Sequence, residues 1–186
     1  QIRNGAPYDV FLSADRERPA LLEKDGLAQP GTRFTYASGR LVLWSARPGR
    51  VDDRGTVLRS PDLGRVAHAN PRTAPYGAAA LQVLDRLGLG KAIAPKLVQG
   101  ESIGQAYAFV KTGNADVGFV AWSQVLENGR LREGSMWLVP PDHHAPLHQD
   151  AVLLRRGARN EAALALIQLM QRPDIRALIR AHGYES

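Results

Sequence analysis

Asn70-Pro71-Arg72-Thr73-Ala74-Pro75-Tyr76-Gly77 runs into Ala78-Ala79-Ala80-Leu81-Gln82-Val83-Leu84-Asp85-Arg86-Leu87, and this stretch decides how the chain is read. Asn-Pro and Pro-Tyr-Gly punctuate a loop. The following residues have helical spacing, with Ala80, Leu84 and Leu87 on one face and Gly88 as a stop. Just upstream, Val66-Ala67-His68-Ala69 is short and mostly apolar, the pattern of a buried strand. Strand, tight loop and helix in that order leave backbone N–H groups at the helix start, where the helix dipole also favours negative charge. An ordinary connection between strand and helix has the same appearance, so the stretch alone does not define a site.

A second stretch repeats the idea. Glu101-Ser102-Ile103-Gly104 opens Gln105-Ala106-Tyr107-Ala108-Phe109-Val110-Lys111, with Ile103, Ala106, Tyr107 and Val110 on one face and Gly113 placed to end the helix. Asn114-Ala115-Asp116 then turns into Val117-Gly118-Phe119-Val120-Ala121, a buried-strand pattern. Two such helix starts without a catalytic signature point to an anion held by neutral donors.

Four motifs carry a family resemblance: Asn4-Gly5-Ala6-Pro7-Tyr8-Asp9-Val10-Phe11-Leu12-Ser13-Ala14-Asp15, the Asn70–Gly77 loop, Glu101–Ala106 and Ala115–Ala121. In this order and spacing the chain resembles the periplasmic molybdate-binding proteins of ABC transport systems, in particular those with tyrosine in the Pro-Tyr-Gly position. The likeness extends from Gln1 to about Tyr184. It implies an α/β, two-lobed, type II periplasmic-binding-protein fold, each lobe a sheet flanked by helices, with the ligand cleft between lobes. One lobe is expected at residues 1–38 and 146–186, the other at 39–145. It also implies that Tyr76 and Ile103 give backbone N–H groups to a tetrahedral oxyanion while their side chains shape the pocket. Some relatives place a ligand-contacting tyrosine where this chain has Ala121, and that hydroxyl is absent here.

Composition is compatible with this. The 186 residues include 44% hydrophobic and 23% charged ones, as in a soluble globular protein with a sizeable core. No apolar run approaches the roughly 18 residues of a membrane span. The first residues lack the basic and apolar regions of a signal peptide. The absence of cysteine excludes disulfides, thiolate metal sites and thiol nucleophiles. The net charge of +6 suits an anionic ligand, but the basic residues are scattered among acids and read as a solvated surface, not a nucleic-acid face.

Along the rest of the chain, Gln1–Gly5 reads as the last turn of a helix, so a preceding strand and helix, roughly 30 residues, are expected to be missing, and with them the family's first two ligand loops. Asp9–Ser13 is a strand, Asp15 caps a helix starting near Glu17, and Leu21 and Leu22 point inward. Arg33–Ala37 and Arg40–Trp44 are strands joined at Ser38-Gly39, near which the resemblance puts a crossing between lobes. Pro48–Asp62 is a surface loop with a short turn from Leu58 to Leu63. Leu89–Lys96 is helical, Lys96–Val98 a strand, Trp122–Leu126 a helix ending near Gly129, and Met136–Val139 a strand. Asn160 caps a helix from Glu161 to Gln171, with Leu164, Ile167 and Met170 inward, and Pro173 begins another with Ile175, Leu178 and Ile179 inward.

Asp142-His143-His144-Ala145-Pro146-Leu147-His148-Gln149-Asp150 is rich enough in His and Asp to suggest zinc, but it lacks a helical i,i+4 His pair, since Pro146 stands between His144 and His148. A polar loop before the strand Ala151–Leu154 accounts for it. The chain has no GxSxG elbow, Walker loop or GxGxxG fingerprint. The resulting expectation is a monomeric periplasmic carrier, not an enzyme, without cofactor or metal ligands, that delivers molybdate or tungstate to the membrane permease of an ABC transporter and has no nucleic-acid partner. Two rivals are an oxyanion-sensing domain of a transcription regulator and a metal-dependent hydrolase built on His143–His148.

Overall fold

Leu41–Ser45 and Val117–Ala121 are buried at every position in the computed structural model, which describes residues 1–186. Strands buried on both faces need near-continuous apolar runs, which these segments have except at Ser45, whose hydroxyl donates to the Asp116 carbonyl. In chain order the elements are β1 (Val10–Leu12), α1 (Glu17–Lys24), β2 (Phe34–Gly39), β3 (Leu41–Ser45), β4 (Val66–Ala69), α2 (Pro75–Arg86), α3 (Gly90–Ile93), β5 (Leu97–Gly100), α4 (Ile103–Lys111), β6 (Val117–Ala121), α5 (Trp122–Val125), β7 (Leu126–Glu127), β8 (Arg130–Leu131), β9 (Ser135–Leu138), β10 (Leu147–Leu153), α6 (Glu161–Met170) and α7 (Pro173–Ala181). They form two compact units, Gly39–Leu147 and Gln1–Ser38 with His148–Ser186.

The Gly39–Leu147 unit is built on a sheet of order β5-β4-β6-β3-β9. β5, β4 and β6 run parallel, whereas β3 is antiparallel to both β6 and β9. Alternation along β3 feeds both faces. Leu41 and Leu43 join Val66, Val117, Phe119 and the α2 residues Ala80, Val83 and Leu84 in one apolar cluster. Val42 and Trp44 join Ala67, Val120 and the α4 residues Ala106 and Val110 in the other. Trp44 also stacks on Tyr107 of α4, with centroids 5.2 Å apart. Of the stripes expected, α2 buries Ala80 and Leu84 and α4 buries Ala106 and Val110, while Leu87, Tyr107 and Ile103 are only partly buried, Ile103 against the α2-side cluster.

Several local expectations are corrected in this unit. The Pro48–Asp62 segment is not simply surface, because Val51, Val57 and Leu58, with Leu63 beyond it, fill the α2-side cluster. Its only regular piece is a 3₁₀ turn at Thr56–Arg59. The helix expected at Trp122–Leu126 lasts one turn and gives way to the β7–β8 hairpin, with Leu126 opposite Leu131. Asn128 and Gly129 take φ of 50° and 77°, the conformation that a two-residue hairpin requires of an Asn-Gly pair. Lys96 ends a 3₁₀ turn, and the strand begins one residue later.

The second unit has a three-stranded sheet of order β1-β10-β2, with Val10 opposite Leu153. Ala151 and Leu153 pack with Ala163, Ile167 and Met170 of α6. Val152 and Leu154 face the other way, with Leu22 of α1 and Ala28. The Asp15 carboxylate accepts the Arg18 N–H at 2.9 Å in the first turn of α1, and the Asn160 amide oxygen accepts the Ala162 N–H at 3.0 Å in that of α6. β2 and β3 nearly touch in sequence but lie in different sheets, so Ser38-Gly39 is not a hairpin turn.

Apolar periodicity misassigns three faces here. Leu21 is exposed while its neighbour Leu22 is buried, and Leu164 is exposed while Ala163 takes the inward position. α7 buries no residue, Leu178 being 53% exposed. Because α6 is apolar almost all round, spacing permits more than one buried stripe, and packing against Ala151 and Leu153 selects among them.

Candidate functional site

β4 and β5 lie side by side with Ala69 opposite Gly100, so the loops that follow them leave the same end of the sheet together. Each opens a helix, α2 after Asn70–Ala74 and α4 after Glu101-Ser102. In an open α/β sheet, the ends of parallel strands are where ligands are held. The two helix starts foreseen from sequence are thus neighbours, both within the Gly39–Leu147 unit.

The first loop is closed by its own polar groups. The Asn70 carbonyl accepts the N–H groups of Thr73 at 3.2 Å and Ala74 at 2.9 Å, and the Asn70 side-chain oxygen accepts that of Arg72 at 3.1 Å. This is the Asx turn that an Asn at a loop start offers. Pro75, at the first helical position, has φ suited to a helix and no N–H to satisfy. Tyr76 follows, 7% exposed, its ring in the α2-side cluster. Gly77 is required by space: a Cβ there would lie 2.2 Å from the Ala69 carbonyl oxygen. Beneath the loop the buried His68 ring donates from Nδ1 to that same oxygen at 2.8 Å. Burial pushes the His68 pKa below the ordinary imidazole value, and the carbonyl offsets this only partly, so the ring is neutral near pH 7.

The second loop is tighter. The Ser102 hydroxyl accepts the Gln105 N–H at 3.2 Å, and the Ser102 carbonyl accepts that of Ala106 at 3.1 Å. The N–H groups of Ile103 and Gly104 take no part in this cap, and they point from the positive end of α4. A Cβ on Gly104 would meet only the Ser102 hydroxyl, at 3.6 Å, an ordinary contact. Gly100 is confined instead, with the Ala106 nitrogen 2.9 Å from where its Cβ would be.

Two contacts that sequence reading missed tie the site together. The buried Asn70 amide donates to the Glu101 carboxylate at 3.3 Å, linking one loop to the other. The Gln124 side chain donates to the Ile103 carbonyl at 3.3 Å and accepts the Ala121 N–H at 3.0 Å, joining α4 to the end of β6. The Asn-Pro pair marks Asn70 as a loop residue but not its partner, which lies 31 residues on. Gln124 has no sequence signal, because its partner lies 21 residues away.

The His/Asp segment does not form a metal centre, and no group of three or more His, Asp or Glu side chains is placed to hold an ion. Leu147–Asp150 belongs to β10 and is not loop. His148 Nδ1 lies 2.7 Å from the Ser38 hydroxyl. Asp150 is buried, with Arg33 at 2.9 Å and the Thr35 hydroxyl at 2.7 Å. His143 bonds to Asp142 and meets the edge of Trp137.

The three parallel strands of this mixed sheet bring two helix starts to one end of it, a place where α/β folds hold ligands. The chain belongs to the family described as "Bacterial extracellular solute-binding protein", which it matches over residues 1–185. It is 55% identical over 184 residues to the molybdate-binding protein ModA of Azotobacter vinelandii, covering 99% of this chain and 73% of that one. Against ModA of Rhodobacter capsulatus the identity is 53%, covering 99% and 71%. The solved Azotobacter vinelandii periplasmic molybdate-binding protein superposes with a TM-score of 0.93 at 43% identity, over 100% of this chain and 81% of that one. The type II binding-protein fold follows from that likeness.

Proposed function

We propose that this protein captures a tetrahedral oxyanion, molybdate or tungstate, in the periplasm and delivers it to the membrane component of an ABC transporter. The observation that carries the reading is the pairing of Ala69 with Gly100, which sets two helix starts beside each other in a chain 55% identical to a molybdate-binding protein. Tyr76 and Ile103 are the ligand residues, each donating its backbone N–H to the oxyanion. Residues 1–38 with 146–186 and residues 39–145 are the two lobes of the carrier.

The protein acts as a monomer, needs no cofactor, catalyses no reaction and has no nucleic-acid partner. The non-enzymatic part of this reading is supported by relatives named as binding proteins, not regulators or hydrolases. The polar groups of the His/Asp segment are also engaged in structural bonds.

The two groups read as meeting the ligand, the Tyr76 and Ile103 N–H, are donors, and that gives the site its selectivity. Near neutral pH the phosphate dianion keeps a proton, which a donor-only site leaves unpaired, at about 1–3 kcal/mol. Calorimetry on the full gene product with sodium molybdate, tungstate and phosphate tests this. Saturable binding of the first two and weaker binding of phosphate are expected. Phosphate binding as tight as molybdate would mean an acceptor lines the site, and no binding of any of the three would remove the proposed function.

A further inference from the structure

Gly39 does not owe its identity to its backbone. Its φ lies outside the left-handed region that ten other glycines of the chain occupy, so an L-residue is conformationally allowed there. Space is the constraint. A Cβ on Gly39 would lie 2.0 Å from the Tyr76 hydroxyl oxygen, 2.8 Å from its Cζ and 3.5 Å from Leu147 Cβ. The Tyr76 ring therefore extends across the bare Cα of Gly39, seated in the cluster that also holds Leu41 and Leu147. That ring belongs to the second residue of α2, whose first turn is fixed at the other end by Gly77 against the Ala69 carbonyl.

We propose that Gly39 is a positioning residue for oxyanion binding: its missing side chain is the slot that seats the Tyr76 ring and so fixes the direction of the Tyr76 N–H. The inference rests on the reading of Tyr76 as a ligand residue. A buried aromatic ring has few rotamers and no room to swing, so a methyl group in the slot displaces the ring as a body and carries the helix start with it. A hydrogen bond to an anion weakens steeply with misalignment, so the loss appears in affinity.

The test is a double-mutant cycle in the full gene product, with sodium molybdate as titrant and circular dichroism as the check on folding. Gly39→Ala is expected to weaken binding on the order of tenfold, the loss of one charge-assisted hydrogen bond. In a Tyr76→Phe background the same substitution should cost clearly less, because the nearest ring atom is then Cζ, at 2.8 Å instead of 2.0 Å. General destabilisation by alanine would cost the same in both backgrounds. Equal penalties, or parent-like affinity of Gly39→Ala, would overturn the proposal.

A second readout does not need the ligand. With fluorotyrosine incorporated, the Tyr76 resonance, assigned by its absence in Tyr76→Phe, should shift in Gly39→Ala, and an unmoved resonance would refute the slot. Failure of the parent to bind molybdate while the resonance shifts would count against the function and not against the slot.

Discussion

Replacing Ile103 by proline separates backbone chemistry from side-chain chemistry at the α4 start. Proline removes one N–H and nothing else that the helix uses, because the cap is made by Gln105 and Ala106 on Ser102. Position 103 is the first of the helix, where proline is tolerated. The residue before a proline must be extended, and Ser102 already is, with φ −139° and ψ 167°. Ile103 is only partly buried against the α2-side cluster, so some packing is lost and a modest fall in melting temperature is expected. A hydrogen bond to a charged group contributes about 1.5–3 kcal/mol. Molybdate affinity should therefore fall on the order of 10- to 150-fold. Ile103→Val keeps the donor and most of the packing and should bind close to the parent. Calorimetric titration of both variants, with circular dichroism as the check on folding, reads the difference. A folded proline variant that binds like the parent would remove Ile103 from the site.

Two further predictions concern the frame that holds the loops. Gly77→Ala forces a Cβ against the Ala69 backbone oxygen, which cannot rotate away; overpacking of this kind costs about 3 kcal/mol, so the melting temperature should fall by about 6–12 °C, and an unchanged value would show that α2 does not sit on its own loop. Asp116, at the start of β6, accepts from Arg50 at 2.6 Å and from Arg47 and the Gly64 N–H. Burial pushes its carboxyl up, but Arg50, Gly64 and Arg47 together hold it below the usual carboxylate range. Its contribution is thus complete above about pH 4, the unfolded carboxyl's range, and is lost as the pH falls through the depressed value. Asp116→Asn should cost about 3 kcal/mol at pH 7 and progressively less in denaturant titrations at lower pH. A pH-independent difference would refute the charge pairing.

Both helix starts of the candidate site were legible in the sequence, because what makes a helix start is local. The prolines, glycines and apolar spacing around Tyr76 and Ile103 act over a few residues, and the structure places α2 and α4 where that pattern does. Buried strands were equally legible at Val66–Ala69 and Val117–Ala121, since a strand covered on both faces needs a mostly apolar run, broken here only by His68. The Asn128-Gly129 hairpin was written there too, in a dipeptide that a helical reading of Trp122–Leu126 obscured.

Only the tertiary structure decided which elements meet. Nothing local tells β4 to lie beside β5, or sends β2 and β3, separated by Arg40 alone, into different sheets. Where two apolar stripes compete, as at Ala163 and Leu164, periodicity is degenerate and the facing surface chooses. The same holds for the slot at Gly39, whose partner Tyr76 lies 37 residues further on: a glycine allowed any backbone shows its purpose only when the ring that needs its room is in place.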